Sequence, residues 1–491
     1  MLDTRLSRRR FLLQSAALGA GAAFGLSACT QSQQRSGASL GPSEDIRVAV
    51  VGIRGRGAGL ANECRANKGV RVVALCDADR TILDKGAKDA SKRGQRASTY
   101  TDIRRVLDRK DIDAIVTATP NHWHALATVW ACQAGKDVYV EKPACWSIWE
   151  GRKMIEAAEK YKRMVQVGMQ RRSDQTFYEM IEWFKAGNVG KIIYALGLCY
   201  KDRDSIGKVT GPTPIPRSID YNLWCGPSRM GPLMRKNLHY DWHWVWETGN
   251  GDIGNQGVHE VDQCRWVLGH KSLPTRVYSF GGRFLWDDDG QTPNTQLACW
   301  DYPVPMFHEV RNIRRKAGDT AMDHVKGTRI GIYVHLEGGY YVGGENGGWV
   351  HDHKDQRIRQ FVQDGSGKHT NNFFAAMRSR NASELHAPVQ EGHLSASLCH
   401  MANISYRLGE RMPPQLLSNS IRGDKLAAAS WDRIQQHLAA NNVDLNLSLP
   451  TLGATLAFDP TTERFTGLPG EKANAMLKRE YRAPFVIPEV V

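Results

Sequence analysis

No C-x-x-C pair occurs in the 491 residues; the ten cysteines are scattered singly through the chain. That excludes the paired-thiol redox and zinc-ribbon classes, which need two sulfurs a few residues apart. Beyond Leu26 no apolar run approaches the ~20 residues of a membrane-crossing helix, so the rest of the chain is expected to be soluble. Internal repeats and low-complexity tracts are missing too, which removes fibrous and repeat architectures. Nor is charge of one sign concentrated. Lys plus Arg outnumber Asp plus Glu by 65 to 51, a net +14. Outside the first residues, however, bases and acids are interspersed without a basic stripe, so nucleic acid is not an expected partner. What remains is a globular composition, 41% hydrophobic and 24% charged. At about 100–200 residues per domain the chain holds two to four domains.

The N-terminus is different in kind. Arg5, Arg8, Arg9 and Arg10 against Asp3 give +3, followed by a small, apolar run from Phe11 to Leu26 and then Leu-Ser-Ala-Cys to Cys29. A basic region, a short apolar region and a small-residue cleavage site read as an export signal. The arginines before Phe-Leu resemble a twin-arginine signal. Leu26–Cys29 resembles a lipobox, in which Cys29 carries lipid. Residues 1–29 are therefore expected to be a signal, and residues 30–45, polar and Gly/Ser-rich, a flexible tether. That gives a periplasmic or cell-envelope protein whose only membrane contact is an N-terminal lipid. The nine remaining cysteines are expected to be mostly free and buried.

Residues 46–170 alternate strand and helix patterns. An apolar run at Ile46–Val51 meets Gly52-Ile-Arg-Gly-Arg-Gly57, then a helical stretch, then Val70–Asp77, a strand ending in an acid. Strand, glycine turn, helix, strand and acid is a dinucleotide-binding unit. The glycines let backbone approach a pyrophosphate and the helix N-terminus offers free N–H groups. The spacing is G-x-x-G-x-G, so context carries the assignment: Asp77 stands 20 residues after Gly57, where a ribose-binding acid belongs. A carboxylate there repels a 2′-phosphate and favours NAD over NADP; Arg80 softens that preference. Thr119-Pro-Asn-His-Trp-His124 and Glu141-Lys-Pro143 fall at later strand ends, where a doubly wound parallel sheet carries its ligand.

The order of these motifs, with Gln166-Val-Gly-Met-Gln170 after them, resembles the glucose–fructose oxidoreductase / inositol dehydrogenase / rhizopine catabolism family from about Ile46 to Val491. The resemblance implies an N-terminal Rossmann domain (46–170) and a C-terminal α/β domain (171–491) built on a large open, mostly antiparallel sheet. It also implies a sugar or cyclitol substrate and a homo-oligomer. It places Gly52, Arg54, Gly55, Gly57, Asp77, Pro120, Asn121, His122, Glu141 and Gln170 around the dinucleotide, and Lys142 beside both nicotinamide and substrate hydroxyl. In Gly249–Asp262 it makes His259 a general base, and Asn255 stands where the family pattern has an aspartate. Asn255 and His259, four apart, share a helix face. Asparagine can orient a hydroxyl but takes no proton, so Lys142 and His259 are left with the acid–base work. The ordinary histidine pKa near 6.5 suits the base.

His239, Tyr240 and Trp242 lead an aromatic run before this motif and are expected to touch a sugar ring. The histidine pairs 122/124, 239/243 and 351/353 each lack an obvious third ligand, so no metal is expected. The sequence supports an exported NAD-dependent oxidoreductase acting on a sugar or glycoside hydroxyl. Two alternatives stand beside it: a NAD-dependent glycosidase working by transient oxidation and elimination, and a non-catalytic sugar-binding protein.

Overall fold

A computed structural model describes residues 45–364 and 368–491. The expected signal, most of the tether and Cys29 lie outside them. The described residues belong to one compact unit.

The first half runs β1 (Ile46–Val51), α1 (Arg56–Ala66), β2 (Val70–Cys76), α2 (Arg80–Lys92), β3 (Ser98–Tyr100), α3 (Ile103–Leu107), β4 (Ala114–Thr117), α4 (Asn121–Gln133), β5 (Asp137–Val140), α5 (Ile148–Lys160) and β6 (Val165–Val167). The sheet order is β3-β2-β1-β4-β5-β6 and every pairing is parallel. Strands such as IRVAVV are buried on both faces, as parallel strands covered by helices must be. Asp79 and Ser147 cap α2 and α5 through their side-chain oxygens.

The second half runs α6 (Gln175–Lys185), β7 (Ile192–Tyr200), α7 (Tyr221–Cys225), α8 (Gly251–Asn255), α9 (Gly257–Val267), β8 (Arg276–Gly282), β9 (Thr295–Trp300), β10 (Met306–Arg311), β11 (Ile330–Leu336), β12 (Gly339–Gly344), β13 (Gly347–His351) and β14 (Arg357–Val362). Then come α10 (His369–Ser379), α11 (Val389–Arg407), β15 (Glu410–Arg411), α12 (Pro414–Ile421), α13 (Lys425–Ala440), β16 (Thr451–Leu452), β17 (Leu456–Asp459) and β18 (Arg464–Thr466). The strands form one sheet in the order β14-β13-β12-β11-β7-β10-β9-β8-β16-β15, extended by β17 on β8 and β18 on β17. Only β7 and β10 pair in parallel among its described strands, so the sheet is mixed and mostly antiparallel, as expected. Helix α9 lies on one face, close to β7, because Gly197 and Gly257 carry no Cβ. A Cβ on Gly197 would come 2.6 Å from His308 Cδ2, and one on Gly257 2.5 Å from its Cε1. The other face packs against α12 and α13, with Trp431 edge-on to Phe280.

The expected boundary at residue 170 does not divide the packing. Helix α10 comes back to the first sheet, where Phe373, Phe374 and Met377 complete the core of Ile46, Val48 and Tyr139. Each buried phenylalanine is worth about 1.5–3 kcal/mol, enough to draw the chain across. Helix α11 follows, seated on β6 and α5 where Gly392 and Gly151 leave room for Val167 and His393. An ion network fixes the join. Arg172 Nε lies 2.9 Å from Asp262 Oδ2, Arg172 Nη2 lies 2.9 Å from Glu391 Oε2, and Arg265 reaches the same Glu391. Near the C-terminus Phe485 packs edge-on against Trp123 of α4 at 5.5 Å, and Arg479 lies over Trp146 at 3.7 Å. All nine described cysteines are buried and unpaired. No helix among the described residues is long and apolar enough to cross a membrane.

Candidate functional site

Two cavities meet at the C-terminal ends of the parallel strands. The first, about 480 Å³, is lined by the glycine turn, Asp77, the Thr119–Asn121 loop, Glu141, Lys142 and residues 239–243. The second, about 550 Å³, lies over the large sheet and is lined by Gln170, Gln256, His259, Glu260 and Gln263. Arg56, Glu141 and Lys142 border both.

The glycine turn has the shape a dinucleotide needs. Gly52 has φ +73°, and a Cβ there would meet the Ala118–Thr119 backbone at 2.8 Å. On Gly57 it would lie 1.7 Å from the Gly52 carbonyl oxygen, so Gly57 sets the packing of α1 on the turn and does not itself line the crevice. Gly55, at φ +48°, has nothing within 4 Å on its Cβ side. No side chain caps α1, which leaves its first N–H groups for an anion. Asp77 accepts hydrogen bonds from Ile53 N at 2.9 Å and Asp79 N at 3.0 Å. Burial raises its carboxyl above the usual range, against those two amides. The cradle left open by the glycines, the uncapped helix and a positioned acid fit a dinucleotide.

Glu141 accepts from Arg56 Nε at 2.8 Å and from Gln170 Nε2 at 3.2 Å. Burial works to raise its carboxyl, but Arg56 and Lys142 hold it below the usual range. Lys142 Nζ donates to the backbone oxygen of Asn255 at 2.9 Å and lies 3.5 Å from Asn255 Oδ1. That backbone oxygen is a free carbonyl at the end of α8, a natural seat for a cation. Burial lowers the Lys142 ammonium below its ordinary range, against the pull of Glu141. Its proton is therefore easier to move than that of a surface lysine.

A carboxylate does stand beside position 255, three residues earlier. Asp252 accepts from Asn255 Nδ2 at 3.3 Å and from Arg203 Nε at 2.9 Å and Nη2 at 2.8 Å. Burial would raise it; Arg203 and Asn312 hold it below the usual range. Asn255 thus turns its amide nitrogen to Asp252 and its oxygen toward Lys142. Sequence spacing could not find Arg203, which arrives from the far end of β7. Asp252→Ala takes the carboxylate from the largely buried Arg203 side chain and leaves it only the Tyr240 hydroxyl. A loss of about 3–5 kcal/mol in stability is expected, read from urea unfolding.

His259 departs from the expected pKa. Burial, with Lys142 beside it, pushes it down to about 3, so it is neutral across the physiological range and a weaker base than an ordinary histidine.

Several expected contacts are corrected by position. His122 does not line the first cavity: it is fully buried and its Nε2 lies 3.0 Å from the Trp224 carbonyl oxygen. Gln170 lines the second cavity, where it bonds Glu141 and the Tyr139 hydroxyl. His239, Tyr240 and Trp242, expected on the substrate, line the first cavity together with Lys142 and Asn255. His239 Nε2 lies 3.2 Å from Asp79 Oδ2, Tyr240 accepts from Arg203 Nη1 at 2.6 Å, and Trp242 stacks on His243 at 3.6 Å. The segment before them is tied to the wall of the same cavity. Ile219 bridges Asp79, Arg80 N donates to Ser218 O at 2.9 Å, and Trp123 Nε1 donates to Leu223 O at 3.1 Å. Arg54, Pro120 and Asn121 line the crevice, with Asn121 Nδ2 donating to Asn250 at 3.0 Å. No group of three His, Cys, Asp or Glu that could hold a metal is found among the described residues.

Residues 46–169 match the family model described as "Oxidoreductase family, NAD-binding Rossmann fold". Residues 191–279 match "Oxidoreductase family, C-terminal alpha/beta domain". The "Glycosyl hydrolase family 109 protein 2" of Shewanella sp. (strain ANA-3) is 31% identical over 169 residues, 31% of this chain and 37% of the relative. Inositol 2-dehydrogenase of Salmonella paratyphi B is 29% identical over 157 residues, 32% of this chain and 46% of the relative. The chain thus matches under half the length of these curated relatives. Among solved structures, the WlbA dehydrogenase from Bordetella pertussis, in complex with NADH and UDP-GlcNAcA, aligns with TM-score 0.55 and 18% identity over 74% of this chain and 97% of that one. Levoglucosan dehydrogenase, in complex with NADH and levoglucosan, aligns with TM-score 0.54 and 16% identity over 73% and 96%.

Proposed function

We propose, from the premise that the chain belongs to the Gfo/Idh/MocA oxidoreductase family by its NAD-binding Rossmann segment and its C-terminal α/β segment, that it oxidises a hydroxyl of a sugar or glycoside. The observation that carries this reading is Lys142, standing on the border of both cavities with Asn255 and His259 around it. When NAD is bound it supplies a hydride acceptor. Lys142 polarises a substrate hydroxyl from the side of the Asn255 carbonyl. His259, neutral and within the second cavity, accepts the hydroxyl proton. Asp252 fixes the Asn255 amide, which orients the substrate oxygen. Trp242 and the stacked His243 form part of the wall of the first cavity.

Residues 218–224, tied to Asp79, Arg80 and Trp123 beside the first cavity, support a resident cofactor. The sequence of residues 1–29, with Cys29, supports export and lipid anchoring. Protein isolated from the cell-envelope fraction without added nucleotide is expected to carry about one NAD(H) per chain, released on heat denaturation and read by absorbance. Envelope protein without nucleotide defeats the resident-cofactor reading; protein confined to the cytosol defeats export.

A second reading is favoured by the relatives named glycosyl hydrolase family 109: transient oxidation followed by elimination of the glycosidic bond, with no net redox change. A retained cofactor suits that cycle equally. Nitrophenyl glycosides separate the two, since free nitrophenol reports cleavage and an intact keto-glycoside reports dehydrogenation.

A further inference from the structure

Tyr240 stands on the wall of the first cavity with Lys142 and Asn255, yet the mechanism above gives it no part. Its backbone is strained. It has φ +72° and ψ −51°, and Asp241 N donates across it to His239 O at 3.0 Å. That is a γ-turn of the rarer, strained hand, which glycine takes freely and a bulky residue resists. Neighbours on both sides hold it there. His239 Nε2 lies 3.2 Å from Asp79 Oδ2, Asp241 accepts from Asn237 Nδ2 at 3.0 Å, and His243 Nδ1 lies 2.5 Å from the Tyr240 carbonyl oxygen. Burial does not account for the tyrosine, since it is 50% exposed. Backbone strain of this kind persists where the surroundings over-determine it, and it gathers at ligand clamps.

We propose that Tyr240 is a substrate-binding and specificity residue: its ring packs on the C–H face of a neutral sugar ring in the first cavity, and its phenol proton is donated to an oxygen of that sugar. This deepens the sugar reading above and rests on it for the nature of the ligand.

The side chain has the parts for it. The phenol oxygen accepts from Arg203 Nη1 at 2.6 Å, and no group among the described residues accepts its proton. A hydroxyl already bound to a cation gives its own proton more readily. The ring meets Trp244 edge-on at 5.5 Å, and half of the side chain stays open. Arg203 spends Nε and Nη2 on the Asp252 carboxylate, so the pair presents no uncompensated charge. An open aromatic ring beside an O–H donor suits a sugar, which has an apolar C–H face and oxygens that accept. A carboxylate or phosphate would call for a free cation, which Arg203 is not. Tyr240 is also joined to the reacting end. Asp252, held by Arg203, accepts from Asn255 Nδ2 at 3.3 Å, and the Asn255 backbone oxygen accepts from Lys142 Nζ at 2.9 Å. The groups that hold the Tyr240 hydroxyl therefore also set the Asn255 amide.

The test uses the NAD-loaded full chain as wild type, Tyr240→Phe and Tyr240→Gly. The probes are methyl β-D-glucoside, cellobiose, N-acetylglucosamine, myo-inositol and D-glucuronate. Calorimetry of wild type is expected to show one of the neutral probes binding most tightly and glucuronate about tenfold more weakly than that probe. For the tightest probe, Tyr240→Phe loses the donor and binds about three- to tenfold more weakly. It keeps the turn and the ring, so its loss is read on an unaltered backbone. Tyr240→Gly loses ring and donor together and binds about thirty- to three-hundredfold more weakly. Its urea midpoint is expected to equal or exceed that of wild type, because glycine relaxes the turn, and its NAD content is expected to stay that of wild type. A merely structural tyrosine gives the reverse, a lower midpoint with affinity kept within about twofold, and that result overturns the proposal. So does a Phe variant as tight as wild type, or glucuronate bound more tightly than every neutral probe. A Gly variant stripped of its NAD makes Tyr240 a cofactor contact and also overturns it, as does a wild type that binds none of the probes. Reduction of bound NAD, followed in the same samples by absorbance, tests the oxidoreductase reading separately: Tyr240-dependent binding with no reduction defeats that reading and leaves the binding role standing.

Discussion

Lys142→Met lowers the rate of sugar-dependent NAD reduction by roughly 10²- to 10⁴-fold, the range for losing a positioned acid–base group, while the NAD content of the protein stays that of wild type. The two readouts separate because Lys142 has two neighbours with different jobs. Its backbone joins the strand end that carries Glu141, and Glu141 is held by Arg56 and Gln170 independently of the ammonium. Its Nζ faces the Asn255 carbonyl, on the substrate side. Methionine fills the stem volume and removes only the charge and its donors. A single-turnover absorbance trace gives the rate, and the spectrum of heat-released nucleotide gives the content. A variant that reduces its bound NAD at the wild-type rate removes Lys142 from the chemistry. A variant that loses its nucleotide makes the lysine a binding residue instead.

The second large effect is on stability against acid. His122, His308 and His400 are buried, and burial pushes each down to about 3; His369 is pushed down to about 4. In the unfolded chain each titrates near 6.5. Below 6.5 the unfolded state binds protons that the folded state refuses, so stability falls as pH falls, and the loss continues until the folded values are reached. At pH 5 this amounts to about 2 kcal/mol per histidine. Glu260, pushed up to about 8, acts with the opposite sign over the same interval, and the buried Asp77, Asp137 and Glu150, all raised, have that same opposite sign. A variant comparison isolates the histidines, because the carboxyls are common to both proteins. With His308→Gln and His400→Gln combined, the drop in unfolding free energy between pH 7.5 and 5 is expected to be about 4 kcal/mol smaller than in wild type. Urea titrations at the two pH values measure it. Equal drops in the two proteins mean that these rings are protonated, or solvated, in the folded state.

The sequence carried the local half of this structure. A glycine turn, a strand-end acid and Glu-Lys-Pro are written in consecutive residues, because a backbone that must approach a pyrophosphate needs glycine at fixed positions. The helix holding His259 was equally legible. What was not legible comes together only in three dimensions. Asp252 looked like one more polar residue in a glycine-rich loop; its role exists because β7 delivers Arg203 and Lys201 to the same place. The aromatic run at 239–246 was read as a sugar platform from residue type alone, and its sharing of a cavity with the glycine turn, Lys142 and Asn255 exists only in the folded chain. Fully buried strands such as β10 have no alternation to betray them. The return of the chain across residue 170 was invisible for a similar reason: the phenylalanines of α10 carry no mark of which sheet they will cover.

That return of the chain bears on modularity. The nucleotide-binding half cannot be lifted out at residue 170 and grafted elsewhere, since its core is completed by α10 and its last strand is covered by α11. The packing of Phe485 on α4 extends the dependence almost to the final residue. During synthesis the cofactor cradle therefore stays unfinished until nearly the whole polypeptide has emerged, and a ribosome-stalled chain that ends before α10 offers a half-built cradle.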